Sequence, residues 1–295
     1  MENYLDFVKG FEDLIRRAAN VKTGWAGAKN SFDCSEKKSE LGGCSSCQKR
    51  VLIFAPHPDD ESMIGALAIR LKKECGFEVV NAAVTLGSNK ERREGRRSEL
   101  QAACNFLDWR LIICGQDGFD DIKPDTKTRN PQHWKNCVKD IAEIIKRENP
   151  AVILAPHCGD WNKTHIGTGL LVADALAETG VDFKGILAQT EYWGAMSEAN
   201  LMIEVDCETL AEQITAVSCH AKEVERNDYH LRLPSWMSDN VRRGGEIVGG
   251  QGAHAPSFAF GVIYNILTFK DGQWRGAFKG GTFISKEESI SKIFR

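Results

Sequence analysis

No apolar run in this chain is long enough to cross a bilayer. The opening residues, MENYLDFVKGFEDLIRRAANV, are amphipathic and charged, not a basic segment followed by an apolar core. A secretory leader is therefore not expected, and a reducing cytoplasm is the expected compartment. Charge of either sign is also in short surplus: 38 Lys and Arg against 41 Asp and Glu give a net charge of −3. That balance offers no general attraction to nucleic acid, so any polyanion would need a local patch. A disulfide framework is missing as well. Cys75, Cys104, Cys114, Cys137, Cys207 and Cys219 all lie in apolar periodic segments, as small buried hydrophobes do. Cys34, Cys44 and Cys47 contain one Cys-x-x-Cys pair but no adjacent fourth ligand, which a closed zinc or iron–sulfur site would need. They read as a surface arm with free thiols, an adventitious metal or a disulfide. Internal repeats and a clean linker are absent too, which favours one domain over residues 50–295 behind an N-terminal helix and cysteine-containing arm over residues 1–49.

What is present describes an ordinary globular protein, with 42% hydrophobic and 27% charged residues. Leu5, Val8, Phe11, Leu14 and Ile15 share one face of an expected helix over residues 1–20. From residue 50 the chain alternates strand and helix patterns. Strands are expected at 51–54, 77–86, 110–114, 151–155 and 185–193, and helices at 62–74, 90–107, 133–148 and 166–178. Residues 117–132, polar and proline-containing, read as a loop over the sheet edge. Such βα alternation predicts an α/β fold with a Rossmann-like, mostly parallel sheet covered by helices on both faces. After residue 200 the expectation is a strand at 201–205, a helix at 207–225 and a polar, glycine-containing stretch at 226–252. A C-terminal hairpin then turns at Asp271-Gly272. This last part is expected to pack on the same core and to wall the pocket.

The chain is organised around Val51–Glu61. An apolar β-branched run stops at Pro56 and Pro58, and His57, Asp59, Asp60 and Glu61 follow before a helix begins. Ligands of open α/β folds bind at such carboxyl ends of strands. Three adjacent carboxylates repel one another unless a cation or proton relieves them. An acidic helix start is the bland alternative, but it does not require a histidine between two prolines. A second polar cluster follows the strand at 151–155 and holds His157, Asp160, Trp161, Asn162 and His165. Neighbouring strand ends would let His57, Asp60 and a histidine from 157–165 converge. Two histidines and a carboxylate with an open position make a catalytic zinc arrangement. Zinc brings its bound water to a pKa of about 7, and Asp59, adjacent to a ligand, is the natural base. The chemistry so described is metal-assisted hydrolysis of an amide or ester.

The motif APHPDDE after an apolar strand, with a later Asp-x-x-x-x-His after another, resembles the PIG-L/LmbE-like zinc N-deacetylases over roughly residues 50–225. The resemblance implies His57, Asp60 and His165 as metal ligands and Asp59 as the general base. Zinc is the implied metal, with iron or another divalent ion as the alternative. Arg96, in an Arg-x-x-Glu helix ending in Glu99, would contact substrate, and Glu61 would give hydrogen-bonding support beside it. His220 echoes a further family segment. In one respect the chain departs from the family, whose second motif is usually Asp-x-His-Pro-Asp-His. Here Asn162 replaces the histidine and Thr164 the aspartate of an acid dyad. Asn162 can donate to an oxyanion but cannot act as an acid. His157, His220, His230 and His254 remain open as replacements, and Trp161 and Trp193 as stacking surfaces for a sugar. Of Arg92, Arg93, Arg96 and Arg97, only Arg96 has a family reason to point inward. The resemblance implies a cytoplasmic hydrolase removing the N-acetyl group from an N-acetylglucosamine-type amino sugar or glycoconjugate. Another N-acyl substrate, or a silent metal-bound sugar-binding protein, is the alternative. No nucleic acid or membrane partner is expected, and homo-oligomerisation is left open.

Overall fold

The computed structural model describes residues 48–178, 183–270, 273–278 and 280–294, with positions 5, 8–14 and 17 near the N-terminus. Cys34, Cys44 and Cys47 and the turn residues Asp271 and Gly272 lie outside the described residues. Positions 8–14 are helical, and Leu5, Val8, Phe11 and Leu14 are all exposed.

Five strands form the parallel part of the sheet: β1 (Arg50–Ala55), β2 (Glu78–Ala83), β3 (Arg110–Ile113), β4 (Val152–Pro156) and β5 (Ile186–Thr190). Their spatial order is β3-β2-β1-β4-β5. The chain therefore moves outward one way from β1 and the other way from β4, which makes the β1–β4 boundary the switch point of the sheet. Between the strands run α1 (Asp60–Met63), α2 (Ala66–Cys75), α3 (Arg93–Phe106), α4 (Thr126–Arg129), α5 (Pro131–Glu148) and α6 (Lys163–Glu178). Alternation along β1 separates the two cores. Val51 and Ile53 pack with Leu67 and Leu71 of α2 and Leu100 of α3, whereas Leu52 and Phe54 pack with Ile141 and Ile145 of α5 and Leu171 of α6.

The sheet continues through β6 (Leu201–Glu204), β7 (Gly261–Lys270), β8 (Gln273–Gly276) and β9 (Thr282–Ile284). β7 pairs antiparallel with β5, β6 and β8, so the expected hairpin is there, and β9, which no sequence pattern announced, pairs parallel with β6.

Four expected elements differ. The helix over 62–74 is two, α1 and α2, separated at Ile64-Gly65. The helix over 207–225 is two helices, α7 (Cys207–Ser218) and α8 (Ala221–Arg226), broken at Cys219-His220 where His220 turns into the interior. The stretch 226–252 is not irregular but contains α9 (Leu233–Gly249). Its Leu233, Met237, Val241 and Val248 are buried at helical spacing. Gly244 and Gly245 obscured that pattern; they are there because Met202 of β6 and Ala255 crowd the positions a side chain would take. The loop 117–132 holds α4, and α5 starts at Pro131 because Asn130 caps it, Oδ1 accepting from the His133 N–H at 3.3 Å.

The late sheet is tied to the front of the molecule by Tyr264. Its fully buried hydroxyl donates to the Ile64 carbonyl at 3.1 Å and accepts from the Leu67 N–H at 3.2 Å. A Tyr264→Phe change strands the Leu67 N–H in the core, and urea unfolding is expected to show a loss of about 1–3 kcal/mol. An unchanged midpoint and slope would contradict this anchoring role.

Candidate active site

β1 ends against Pro56, whose carbonyl accepts both the Thr85 N–H and its hydroxyl, and the next residues turn over the carboxyl edge of the sheet. Asp59 has φ 110 and ψ −33, a conformation L-residues avoid and one that costs about 1–3 kcal/mol. Its N–H donates to Glu61 Oε2 at 2.9 Å, and its carbonyl accepts from the Ser62 and Met63 N–H groups. The far end of α1 is held by Gln213 of α7, whose amide donates to the Ser62 and Met63 carbonyls. Through this turn the three adjacent carboxylates point to three different places.

Asp60 points toward the end of β4. His57 Nδ1, Asp60 Oδ2 and His165 Nε2 stand 3.2 Å from one another on every side of a triangle. The group can hold a metal ion, and His165 and Asp60 are buried while His57 is half-buried. Tetrahedral zinc with bonds of about 2.0–2.1 Å needs ligand atoms about 3.3 Å apart, so this donor set fits a divalent cation with one position left open. Behind it, His165 Nδ1 lies 3.4 Å from Asp160 Oδ2. Asp160 is itself held by the Asn162 and Trp193 N–H groups. A carboxylate in that place fixes the ring orientation and tautomer of a ligating histidine. Burial alone would raise the Asp60 carboxyl, but the two histidines hold it well below the usual carboxylate range. For His165, burial favours the neutral ring, yet Asp60 and Asp160 outweigh it and push its pKa up to about 10. The cluster thus favours a positive charge at its centre.

Asp59 is not part of the triangle. Its Oδ2 accepts from the Tyr229 hydroxyl at 2.6 Å. Desolvation, with Asp60 alongside, pushes its carboxyl up to about 7. Glu61 is fully buried and takes no place in the cleft; Oε1 accepts from Ser62 Oγ at 2.7 Å and pairs with His220 Nε2 at 3.0 Å. Glu61 therefore braces the turn beneath Asp59 rather than meeting a ligand.

A cleft of about 640 Å³ opens over these groups. His57, Asp59, Asp60, Arg96, Asn162, Thr164 and Trp193 line it, so both positions of the replaced dyad face the same space as the triangle. Asn162 also caps α6, its Oδ1 accepting from the Thr164 N–H at 2.9 Å, so its NH₂ is the half that can serve a ligand. Arg96 donates to the Pro58 carbonyl at 3.2 Å, and Gly87, at φ +86, leaves room for its guanidinium.

Other expected contacts are not brought together. His157 is buried away from the cleft, Nε2 donating to the Gly194 carbonyl while Nδ1 accepts from the Gly159 N–H. His220 is fully buried under Glu61, His254 is exposed outside the cleft lining, and Trp161 is 72% exposed and also outside it. None of the four has a face turned to a bound molecule in the cleft.

The sequence reading missed Tyr229, which sits in a polar stretch with no local signature and meets Asp59 only through the tertiary fold. Arg92 and Arg93, for which the family pattern gave no reason to point inward, both line the cleft, with Lys123, Glu223 and Arg226. Arg97 does face outward, toward Asp117.

A family model described as PIG-L, GlcNAc-PI de-N-acetylase, matches residues 52–176. No curated protein matches the chain. Solved structures with the same fold include the N,N'-diacetylchitobiose deacetylase from Pyrococcus horikoshii. It is 18% identical, with 76% of this chain and 85% of that chain covered and a TM-score of 0.52. The zinc-inhibited form of a teicoplanin deacetylase is 16% identical, covering 76% of this chain and 100% of that one, with a TM-score of 0.52. GalB, the 4-carboxy-2-hydroxymuconate hydratase from Pseudomonas putida, is 15% identical over 76% of this chain and 98% of that one, with a TM-score of 0.53. At these identities the likeness is one of fold, and it spans more than one reaction. Residues 52–176, the part of the chain similar to the PIG-L (GlcNAc-PI de-N-acetylase) family model, carry His57, Asp59, Asp60, Asn162 and His165.

Proposed function

We propose that this protein is a divalent-metal-dependent hydrolase that removes the N-acetyl group from an N-acetylglucosamine-type amino sugar or its glycoconjugate, with zinc as the cation. One observation carries the reading: three donor atoms at 3.2 Å separations, with Asp59 beside them and outside the set. The family domain supports amide hydrolysis over the hydratase chemistry that the fold also hosts.

His57, Asp60 and His165 hold the cation, which when bound supplies Lewis acidity toward an acyl carbonyl and toward water. Asp59 takes the proton of the attacking water, Tyr229 keeping one carboxylate oxygen fixed so that the other faces the cleft. The Asn162 NH₂ donates to the oxygen that becomes negative as the carbonyl carbon turns tetrahedral. The departing amine needs a proton, and among the described residues His57 is the one histidine in the cleft lining. Since His57 is a ligand, Asp59 returns to the amine the proton it took from water. The C–N bond breaks, and acetate and the free amine leave. One carboxylate thereby covers both halves of the proton transfer that a separate histidine would otherwise share. Trp193, 46% exposed at the cleft and edge-on to Tyr229, offers a face for the sugar ring.

Two outcomes test this. With one equivalent of zinc, wild type should release acetate from N-acetylglucosamine or its simple glycosides, and Asp59→Asn should lower kcat about 10²–10⁴-fold with zinc still bound. Sugar binding without any release from wild type would mark a binding protein instead. Competition against a chromophoric chelator should find zinc bound about 10–100-fold more weakly by Asp160→Asn. Undiminished affinity would remove Asp160 from the support of the metal site.

A further inference from the structure

Beyond Thr190, where β5 leaves its pairing with Tyr264 of β7, the chain makes a short loop that the proposed reaction uses only at Trp193. That loop is closed by its own first residue. Glu191 is 2% exposed, and its Oε2 accepts from the Met196 N–H at 2.6 Å, so the chain turns back on one buried carboxylate. The same carboxylate meets Arg243 of α9 in a paired contact, Nη2 donating to Oε1 and Nη1 to Oε2 at 3.3 Å. Arg243 is fixed in turn. Its Nε donates to Asp239 Oδ2 at 2.9 Å and its Nη2 to Asn240 Oδ1 at 2.6 Å, while the Asn240 amide donates to the Gly261 carbonyl at the start of β7.

The other side of the loop lies against the turn that carries Asp160. The Trp193 N–H donates to Asp160 Oδ2 at 3.2 Å, and the Gly194 carbonyl accepts from His157 Nε2 at 2.9 Å. A side chain at Gly194 would stand 2.6 Å from the Asp160 Cα, so glycine is what lets the two turns touch. Trp193 thus sits between two clamps, one made by α9 and one by the turn after β4. Its indole is 46% exposed and edge-on to Tyr229, with ring centroids 6.2 Å apart. An indole so exposed takes its direction from the backbone beneath it. Stability does not account for the ion pair that holds this backbone. Desolvating two charges costs about as much as their attraction returns, and apolar residues of similar volume often serve as well. What a paired guanidinium–carboxylate contact adds is direction, and the loop needs direction where Trp193 meets the cleft.

We propose that Glu191 and Arg243 are positioning residues for Trp193: their contact fixes the loop after β5 so that the indole stands as a sugar-facing wall of the cleft. Neither residue touches the substrate. Both act through the loop, from a helix on the far side of it. The sugar-facing role of the indole rests on the deacetylase reading, whereas the coupling of Arg243 to the indole's position does not.

The test uses the full zinc-loaded chain with fluorotryptophan in place of tryptophan, the fluorine resonance of Trp193 being assigned with Trp193→Phe. Arg243→Met should shift or broaden that resonance and leave those of the buried Trp109 and Trp134 in place. Glu191→Gln should do the same more weakly, and it carries the test should Arg243→Met not fold. Arg243→Lys keeps the charge without the fork, so it should recover part of the wild-type signal. Arg242→Met, at a neighbouring side chain 72% exposed, should leave the signal unmoved. In calorimetry, methyl glucosaminide should bind Arg243→Met about 3–10-fold more weakly. KM for its N-acetyl counterpart should rise alike, with kcat and zinc affinity kept. In a Trp193→Ala background the arginine change should have no further effect on sugar affinity, because residues acting through one group are not additive. A Trp193 resonance identical in wild type, Arg243→Met and Glu191→Gln would overturn the proposal. So would additive losses of sugar affinity from the Arg243 and Trp193 changes. If wild type neither binds glucosaminide nor releases acetate, the deacetylase reading and the sugar-facing role fall together, and the fluorine spectrum alone upholds or refutes the coupling.

Discussion

Asp59, Asp60 and Glu61 are consecutive carboxylates, and the structure of the site follows from how their mutual repulsion is relieved. Each is given a different partner. Asp60 faces His57 and His165, Asp59 faces the Tyr229 hydroxyl, and Glu61 turns inward to Ser62, His220 and the Asp59 N–H. The positive φ of Asp59 makes the divergence possible, because a regular helical turn would set neighbouring side chains only about 100° apart on one surface. The strain is held by Glu61 from below and by Gln213 at the end of α1. A backbone outlier, a buried ion pair and a triangle of donor atoms are therefore one arrangement seen from three residues.

That arrangement draws on both sides of the sheet's switch point. β1 delivers His57, Asp59 and Asp60, while β4, its immediate neighbour, leads to Asp160 and His165. The parallel register sends both strands' carboxyl ends to the same edge, so residues 108 positions apart meet at 3.2 Å. The C-terminal third then completes the site. α7 supplies Gln213, the break before α8 supplies His220, α8 supplies Glu223 and Arg226, and Tyr229 follows. The β5–β7 pairing and Tyr264 bind this late segment to the parallel sheet and to the residues just after α1.

The replacement of a histidine–aspartate dyad by Asn162 and Thr164 takes its meaning from the same geometry. Asn162 caps α6, so it has a structural reason to be present whatever its chemistry, and its remaining amide group faces the cleft. His157 and His220 are each engaged in the interior by other groups, and neither can take over the missing proton transfer. In the proposed reaction Asp59 therefore covers both halves of it.

The sequence alone determined what depends on neighbours along the chain. The apolar run before Pro56, the βα alternation and the His57–Glu61 spacing specify strand, turn and helix through periodicity and the stopping power of proline. The convergence of His57, Asp60 and His165 was legible because both halves of the triangle follow strands, and parallel strands bring their ends to one edge. The contacts decided by tertiary structure join residues with no shared local pattern. Glu61 and His220 are 159 positions apart, and Asp59 and Tyr229 are 170 apart. Helix α9 was hidden because two glycines needed for close packing broke the apolar rhythm that would have announced it. Arg92 looked like surface charge because a guanidinium's role depends on which carboxylate it faces, and Glu223 of α8, 131 positions away, meets it only in the folded chain.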